Sequence, residues 1–150
     1  MHTVFDVAKY ILHQCGEMTT MKLQKLCYYA QAWSLAWDGK PLFDEDFQAW
    51  ANGPVCVELY NEHRGQFVIG ENFFDQKGNC DDFEKDEIET MDIVLKAYGD
   101  KTPLYLSELT HKENPWKLTR IGIPMGERSH RVIEKEVMQE YYGGLSDEQE

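Results

Sequence analysis

The sequence predicts a mainly α protein, a single compact helical domain of about six helices with at most a small two- or three-stranded β element. Apolar residues recur at the 3, 4 spacing of a helix face in several stretches, helix caps and stops flank those stretches, and only a few short segments read as extended. At 150 residues one domain is expected, with an ordered core over about 3–142. A chain of this length buries roughly 68–70% of its unfolded surface, so its core needs neither disulfide nor metal.

Thr3 caps a first helix whose stripe is Val4, Val7, Ala8, Ile11, Leu12 and Cys15, and Gly16 ends it. Thr19 or Thr20 opens a longer helix from about Met21 to Trp37. Leu23, Leu26, Cys27, Ala30, Trp33, Ser34 and Trp37 form its stripe, with Tyr28 and Leu35 beside it, so this helix belongs near the centre of the fold. Asp38-Gly39-Lys40-Pro41 closes it. Residues 42–54 hold a short strand near Phe47 and Ala49 and stop at Asn52-Gly53-Pro54. From Pro54, with Val55, Glu58, Leu59 and His63, a helix runs to about Gly65. Residues 65–80 read as a loop with an extended stretch at Phe67-Val68-Ile69. A helix from Asp82, its cap, to Tyr98 carries the stripe Ile88, Met91, Leu95 and Tyr98, with carboxylates in the first turns where the helix dipole favours them. Thr102-Pro103 opens a short helix through Leu109, Pro115 forces Asn114 out of helical geometry, and 121–126 is loop. Arg131-Val132-Ile133 reads as a strand feeding a last helix, Glu134 to Tyr142, which Gly143-Gly144 stops, leaving a frayed tail over 143–150.

Fifteen Lys and Arg face 27 Asp and Glu, a net charge of −12. That excess argues against nucleic acid and anionic membrane as direct partners, since both are bound through basic side chains. It is also uneven: residues 1–43, 44–100 and 101–150 carry +1, −11 and −2. The acidic middle is either a solvated face or a surface for a basic partner, the latter because complementary fields raise association rates. No signal peptide or apolar run of membrane-spanning length is present, and Cys15, Cys27, Cys56 and Cys80 form no Cys-x-x-Cys pair. A soluble protein of the reducing cytoplasm is expected.

Spacing alone points to no enzyme, metal or cofactor. His13 and Cys15 point in different directions on a helix and no second ligand pair stands at a metal spacing. There is no Gly-x-Ser-x-Gly elbow, no phosphate-binding glycine loop of either common type, and no local signature joining His111 to Cys27 or Cys56 as a thiol nucleophile. The carboxylates between Asp81 and Asp92 open a helix, which makes them a solvated face before an acid/base pair.

Three clusters stand out. In Lys22-Leu23-Gln24-Lys25-Leu26-Cys27-Tyr28-Tyr29-Ala30-Gln31-Ala32-Trp33, the polar row Gln24, Tyr28 and Gln31 borders the core stripe, to bond the backbone or to meet a partner. The second is Phe47-Gln48-Ala49-Trp50 with Gly53-Pro54-Val55, and the third runs from Leu106-Ser107-Glu108-Leu109-Thr110-His111 to Asn114-Pro115-Trp116. With Gly39-Lys40-Pro41-Leu42-Phe43 between the first two, these blocks in this order closely resemble the Panacea antitoxin-domain family, which includes SocA-like and GepA-like phage-associated proteins. The resemblance spans about residues 4 to 142. Cys27 replaces a more usual small or branched apolar residue, and Asn52 precedes Gly-Pro, both mild departures.

The resemblance implies a small helical, non-enzymatic antitoxin that neutralises a cognate toxin by direct protein contact. One branch of the family implies instead an adaptor that delivers its bound toxin to a ClpXP-type protease. Some relatives carry an N-terminal DNA-binding module; with the first helix at about Thr3, none is expected. The candidate partner-binding residues are Lys22, Gln24, Lys25 and Tyr28 of the first block, Trp50, Gly53 and Pro54 of the second, His111 and Trp116 of the third, and Asp86, Glu87 and Glu89 of the acidic segment. Trp50, Tyr28 and Trp116 are aromatic anchors if exposed and core if not.

Overall fold

The structure, a computed structural model, describes residues 2–149, with side chains through Ser146. Thr3 caps α1 (Val4–Cys15) in a reciprocal box with Asp6, and Gly16 terminates it. Val4, Val7, Ala8, Ile11 and Leu12 are buried as the stripe requires, whereas Cys15 is exposed. A two-residue strand β1 (Met18–Thr19) follows. Thr19 then caps α2 (Thr20–Asp38), and Gly39 ends that helix in the left-handed conformation. Every residue from Leu23 to Leu35 is buried, so α2 is the axis of the fold. Trp37 remains exposed.

β2 (Phe47–Trp50) and β3 (Gly53–Val55) form a hairpin, where the sequence predicted a strand followed by a helix from Pro54. Pro54 pairs opposite Ala49 on an edge strand, the position in a sheet that tolerates a missing N–H. Helix begins only at α3 (Val57–His63). β4 (Val68–Ile69) pairs antiparallel with β1, in the segment expected to be extended. α4 (Lys85–Tyr98) starts later than Asp82 because Glu84 and Glu87 form the capping box, while Asp82 accepts a hydrogen bond from Asn79 Nδ2.

Thr102 and Pro103 open α5 (Pro103–Lys112), which runs a turn beyond Leu109. The backbone breaks at Glu113, one residue before the expected site, and Pro115 lies in the first turn of a seventh, unforeseen helix, α6 (Asn114–Thr119). β5 (Val132–Ile133) completes a three-stranded antiparallel sheet in the order β3-β2-β5.

α7 (Lys135–Gln149) does not stop at Gly143-Gly144. The two glycines cost about 1 kcal/mol each. Tyr142 is fully buried, Leu145 packs on the core, and Ser146 Oγ accepts from Trp37 Nε1 at 3.2 Å, so tertiary contacts carry the helix past them. The frayed tail is thus replaced by helix to Gln149; Glu150 lies outside the described residues. α7 and α4 pack most extensively on α2.

A buried carboxylate ties three of these helices together. Glu113 Oε1 accepts from the hydroxyls of Tyr29 at 2.7 Å and Tyr142 at 2.8 Å, and the Tyr28 hydroxyl lies 3.1 Å from that of Tyr142, so its proton extends the chain. Burial holds the Glu113 carboxyl above its ordinary value of 4.5, and the two tyrosine bonds pull it part of the way back. The folded protein therefore keeps this proton to higher pH than the unfolded chain does. The contribution to stability is full below about pH 4.5 and is lost as pH rises through the raised folded value. Glu113→Gln is expected to remove that slope, read as the difference between wild-type and variant urea midpoints across the acid range. Glu113→Ala, which orphans two buried hydroxyls, is expected to cost about 3 kcal/mol.

Candidate functional site

The first block, on α2, and the hairpin block meet at a cleft of about 560 Å³. One wall is α2, which contributes Gln24 and Lys25. The β2–β3 hairpin brings Trp50 and Asn52, α3 brings Tyr60, His63 and Arg64, and the segment before β5 brings Arg128 and His130. Among the described residues no carboxylate lines the cleft, in a chain that carries 27.

Gln24 fastens the wall to the β3–α3 junction. Its Nε2 donates to Cys56 O at 3.1 Å and its Oε1 accepts from Cys56 N–H at 2.9 Å. The same Nε2 lies 3.0 Å from His63 Nε2, so the imidazole presents a lone pair there and is neutral. Burial, and secondarily the Lys25 charge, hold His63 below the ordinary histidine range. Gln31 performs the equivalent task two turns further on, accepting from Leu42 N–H at 2.7 Å and donating to Phe43 O at 2.8 Å. The polar row beside the core thus bonds backbone at both of its glutamines.

Lys25 is the unusual member. It is 2% exposed, its Nζ donates to Pro54 O at 3.2 Å, and no ion pair among the described residues includes it. Burial lowers its pKa to about 8. Gly53, at φ 120°, crosses directly over the Lys25 stem: a Cβ there would stand 2.6 Å from Lys25 Cε and 2.9 Å from Thr110 Oγ1. Only glycine fits both the backbone angle and the space.

The Leu106–Trp116 block supports the hairpin from behind and does not line the cleft. Ser107 Oγ donates to Asn52 O at 2.6 Å, and Trp116 Nε1 donates to Trp50 O at 2.8 Å. Arg120 donates to Ala49 O at 2.9 Å with its guanidinium 5.0 Å from the Trp116 ring centre. His111 stacks on Trp116 with centroids 4.0 Å apart, and its buried Nε2 has no hydrogen-bond partner among the described residues. Burial, then the charges of Lys25 and Arg120, lower its pKa.

Of the candidate residues, the structure brings Gln24, Lys25 and Trp50 to the cleft, with Gly53 and Pro54 packed on Lys25 and His111 and Trp116 behind the hairpin. Tyr28 and Trp116 are core, which leaves half-buried Trp50 as the accessible aromatic of the three. Lys22 turns away to Gly99 O at 2.6 Å. The acidic trio divides: Asp86 and Glu89 are exposed on α4, whereas Glu87 is buried, caps that helix and lies 2.9 Å from His2 Nε2. Sequence reasoning missed Tyr60, Arg64, Arg128 and His130, for which no local spacing signal exists.

A family model for the SocA-like antitoxin, Panacea domain, matches residues 23–117. The chain belongs to this family. The match runs from the α2 wall through the hairpin and α3 to Trp116, so it takes in most of the cleft and its support. No curated protein and no solved structure matches the chain. In this Panacea domain Cys27 and Cys56 are fully buried, and burial pushes Cys27 well above the thiol range and Cys56 up to about 12. Neither holds the thiolate a nucleophile requires. Among the described residues no three His, Cys, Asp or Glu side chains are grouped to hold a metal ion, and no helix is long and apolar enough to cross a membrane.

Proposed function

We propose that this Panacea domain is the antitoxin of a two-gene pair and neutralises a cognate protein toxin in the cytoplasm by direct binding. The observation that carries this is the family match over residues 23–117, whose description is that of an antitoxin. Two surface features support contact with another protein. Leu118, Ile121 and Met125, on α6 and the loop after it, are all at least half exposed. Asp86 and Glu89 face solvent on α4 within the acidic segment, a surface suited to a basic toxin.

Co-expression of the neighbouring gene with and without this protein tests the reading. Toxicity of that gene alone, rescue by this protein and co-purification of the two are expected; a harmless neighbour that does not co-purify overturns the pairing. Toxin half-life separates blocking from delivery: it stays unchanged for a blocking antitoxin, and shortens in a protease-dependent way for an adaptor to a ClpXP-type protease.

The acidic face has its own test. Asp86→Lys with Glu89→Lys is expected to weaken toxin binding by a factor of about 10 and to flatten its salt dependence. Glu87 is left in place because its reversal would break the α4 cap. Unchanged affinity and salt slope would make that face one of solvation alone.

A further inference from the structure

We propose that the cleft between α2, the β2–β3 hairpin and α3 binds a nucleoside phosphate, with Lys25, Arg64 and Arg128 receiving the phosphate and the Trp50–Tyr60 wall receiving the base. The proposal does not depend on the antitoxin reading.

The argument starts from charge. A protein with net charge −12 would be expected to surround its cations with carboxylates, yet three cations line this one cleft and no Asp or Glu is among its described lining residues. None of the three takes part in an ion pair among the described residues, and neither Arg64 nor Arg128 spends its guanidinium on a hydrogen bond within them. Lys25 is the decisive residue. A buried ammonium normally lies against a carboxylate or is surrounded by carbonyls, because desolvating an uncompensated charge costs several kcal/mol. Lys25 has three donors and the Pro54 carbonyl as a hydrogen-bond partner, and its own charge disfavours the charged forms of His63 and His111. A bound anion would supply the missing counter-charge.

Size and chemistry choose among anions. About 560 Å³ falls within the range of pockets for organic ligands and is far larger than a bare inorganic ion fills. Three cationic side chains, Lys25 buried and Arg64 and Arg128 exposed, match a phosphate dianion or a phosphate chain better than a single carboxylate, and arginine forks fit phosphate oxygens two at a time. Trp50 and Tyr60, with ring centroids 4.9 Å apart, give the same cleft an aromatic side on which a planar base packs.

Calorimetric titration of the purified full chain with AMP and ATP, and with inorganic phosphate and adenosine as partial ligands, tests this. At least one nucleotide is expected to bind about tenfold or more tighter than either partial ligand. Arg64→Ser with Arg128→Ser, and separately Lys25→Met, are each expected to weaken it by tenfold or more. Lys25→Met removes a buried charge and is expected to be more stable than the parent, so its loss of binding would not reflect unfolding. Titrations at about pH 8.5 in two buffers of different ionisation enthalpy should show proton uptake on binding in the parent and none in Lys25→Met, since an anion beside Lys25 restores its proton. The proposal is overturned if neither nucleotide binds at millimolar concentration, if phosphate binds as tightly as AMP and ATP, if an Asp/Glu-rich peptide binds where nucleotides do not, or if the cleft variants bind as the parent does.

Discussion

Gly53→Ala is expected to lower stability by about 3 kcal/mol, a fall in Tm of roughly 6–12 °C for a domain of this size. Two costs combine. At φ 120° an alanine is strained wherever it is placed. Its Cβ would also meet Lys25 Cε and Thr110 Oγ1 inside van der Waals contact, so one of these two buried side chains has to shift to make room. The two costs separate in a double-mutant cycle. In a Lys25→Ala background part of the steric cost disappears while the backbone cost remains, so the alanine penalty should fall by about half. Strictly additive penalties would show that Gly53 is kept for its backbone angle alone.

Lys25→Met is expected to act in the opposite direction, raising stability by about 2 kcal/mol at pH 7. Lowering the lysine from 10.5 to about 8 corresponds to roughly 3 kcal/mol of destabilisation in the charged form. The lost bond to Pro54 O offsets about 1 kcal/mol of the gain. The pH dependence follows from the direction of the shift. Between about pH 8 and 10.5 the unfolded chain holds more protons than the folded one, so parental stability rises with pH across that window. The advantage of Lys25→Met should therefore be full below pH 8 and gone above 10.5. Urea denaturation at pH 7 and pH 10 measures both, and a variant less stable than the parent at pH 7 would mean that Lys25 is compensated in the folded state. A residue that lowers stability at neutral pH is expected where binding requires it.

Much of the helical framework was legible because its signals are local. Thr3, Thr19 and Thr102 are caps whose hydroxyls do accept the expected backbone N–H, and the α1 stripe is buried except for Cys15. The errors have physical causes of another kind. Pro54 carries the same fixed φ in a helix's first turn as on an edge strand, and only the pairing with Ala49 decides between them. Gly143-Gly144 stops an isolated helix, but not one whose next turn is held by Leu145 and by Ser146 beneath Trp37. Among the carboxylates of 81–92, composition alone could not separate Glu87, which caps α4, from its exposed neighbours Asp86 and Glu89.

The sequence by itself determined the mainly α class, the central position of α2, the acidic middle segment and the family, because each rests on residue types close together or on an ordered set of motifs. Only the tertiary structure decided where charge matters. Net charge is a sum and ignores position, whereas the cleft depends on Lys25 of α2, Arg64 at the end of α3 and Arg128 before β5 being brought together from distant parts of the chain. A chain whose total charge repels anions thus folds around a local cluster of cations, because the potential in a partly desolvated cleft is set by the few charges lining it and much less by screened charges on the far surface.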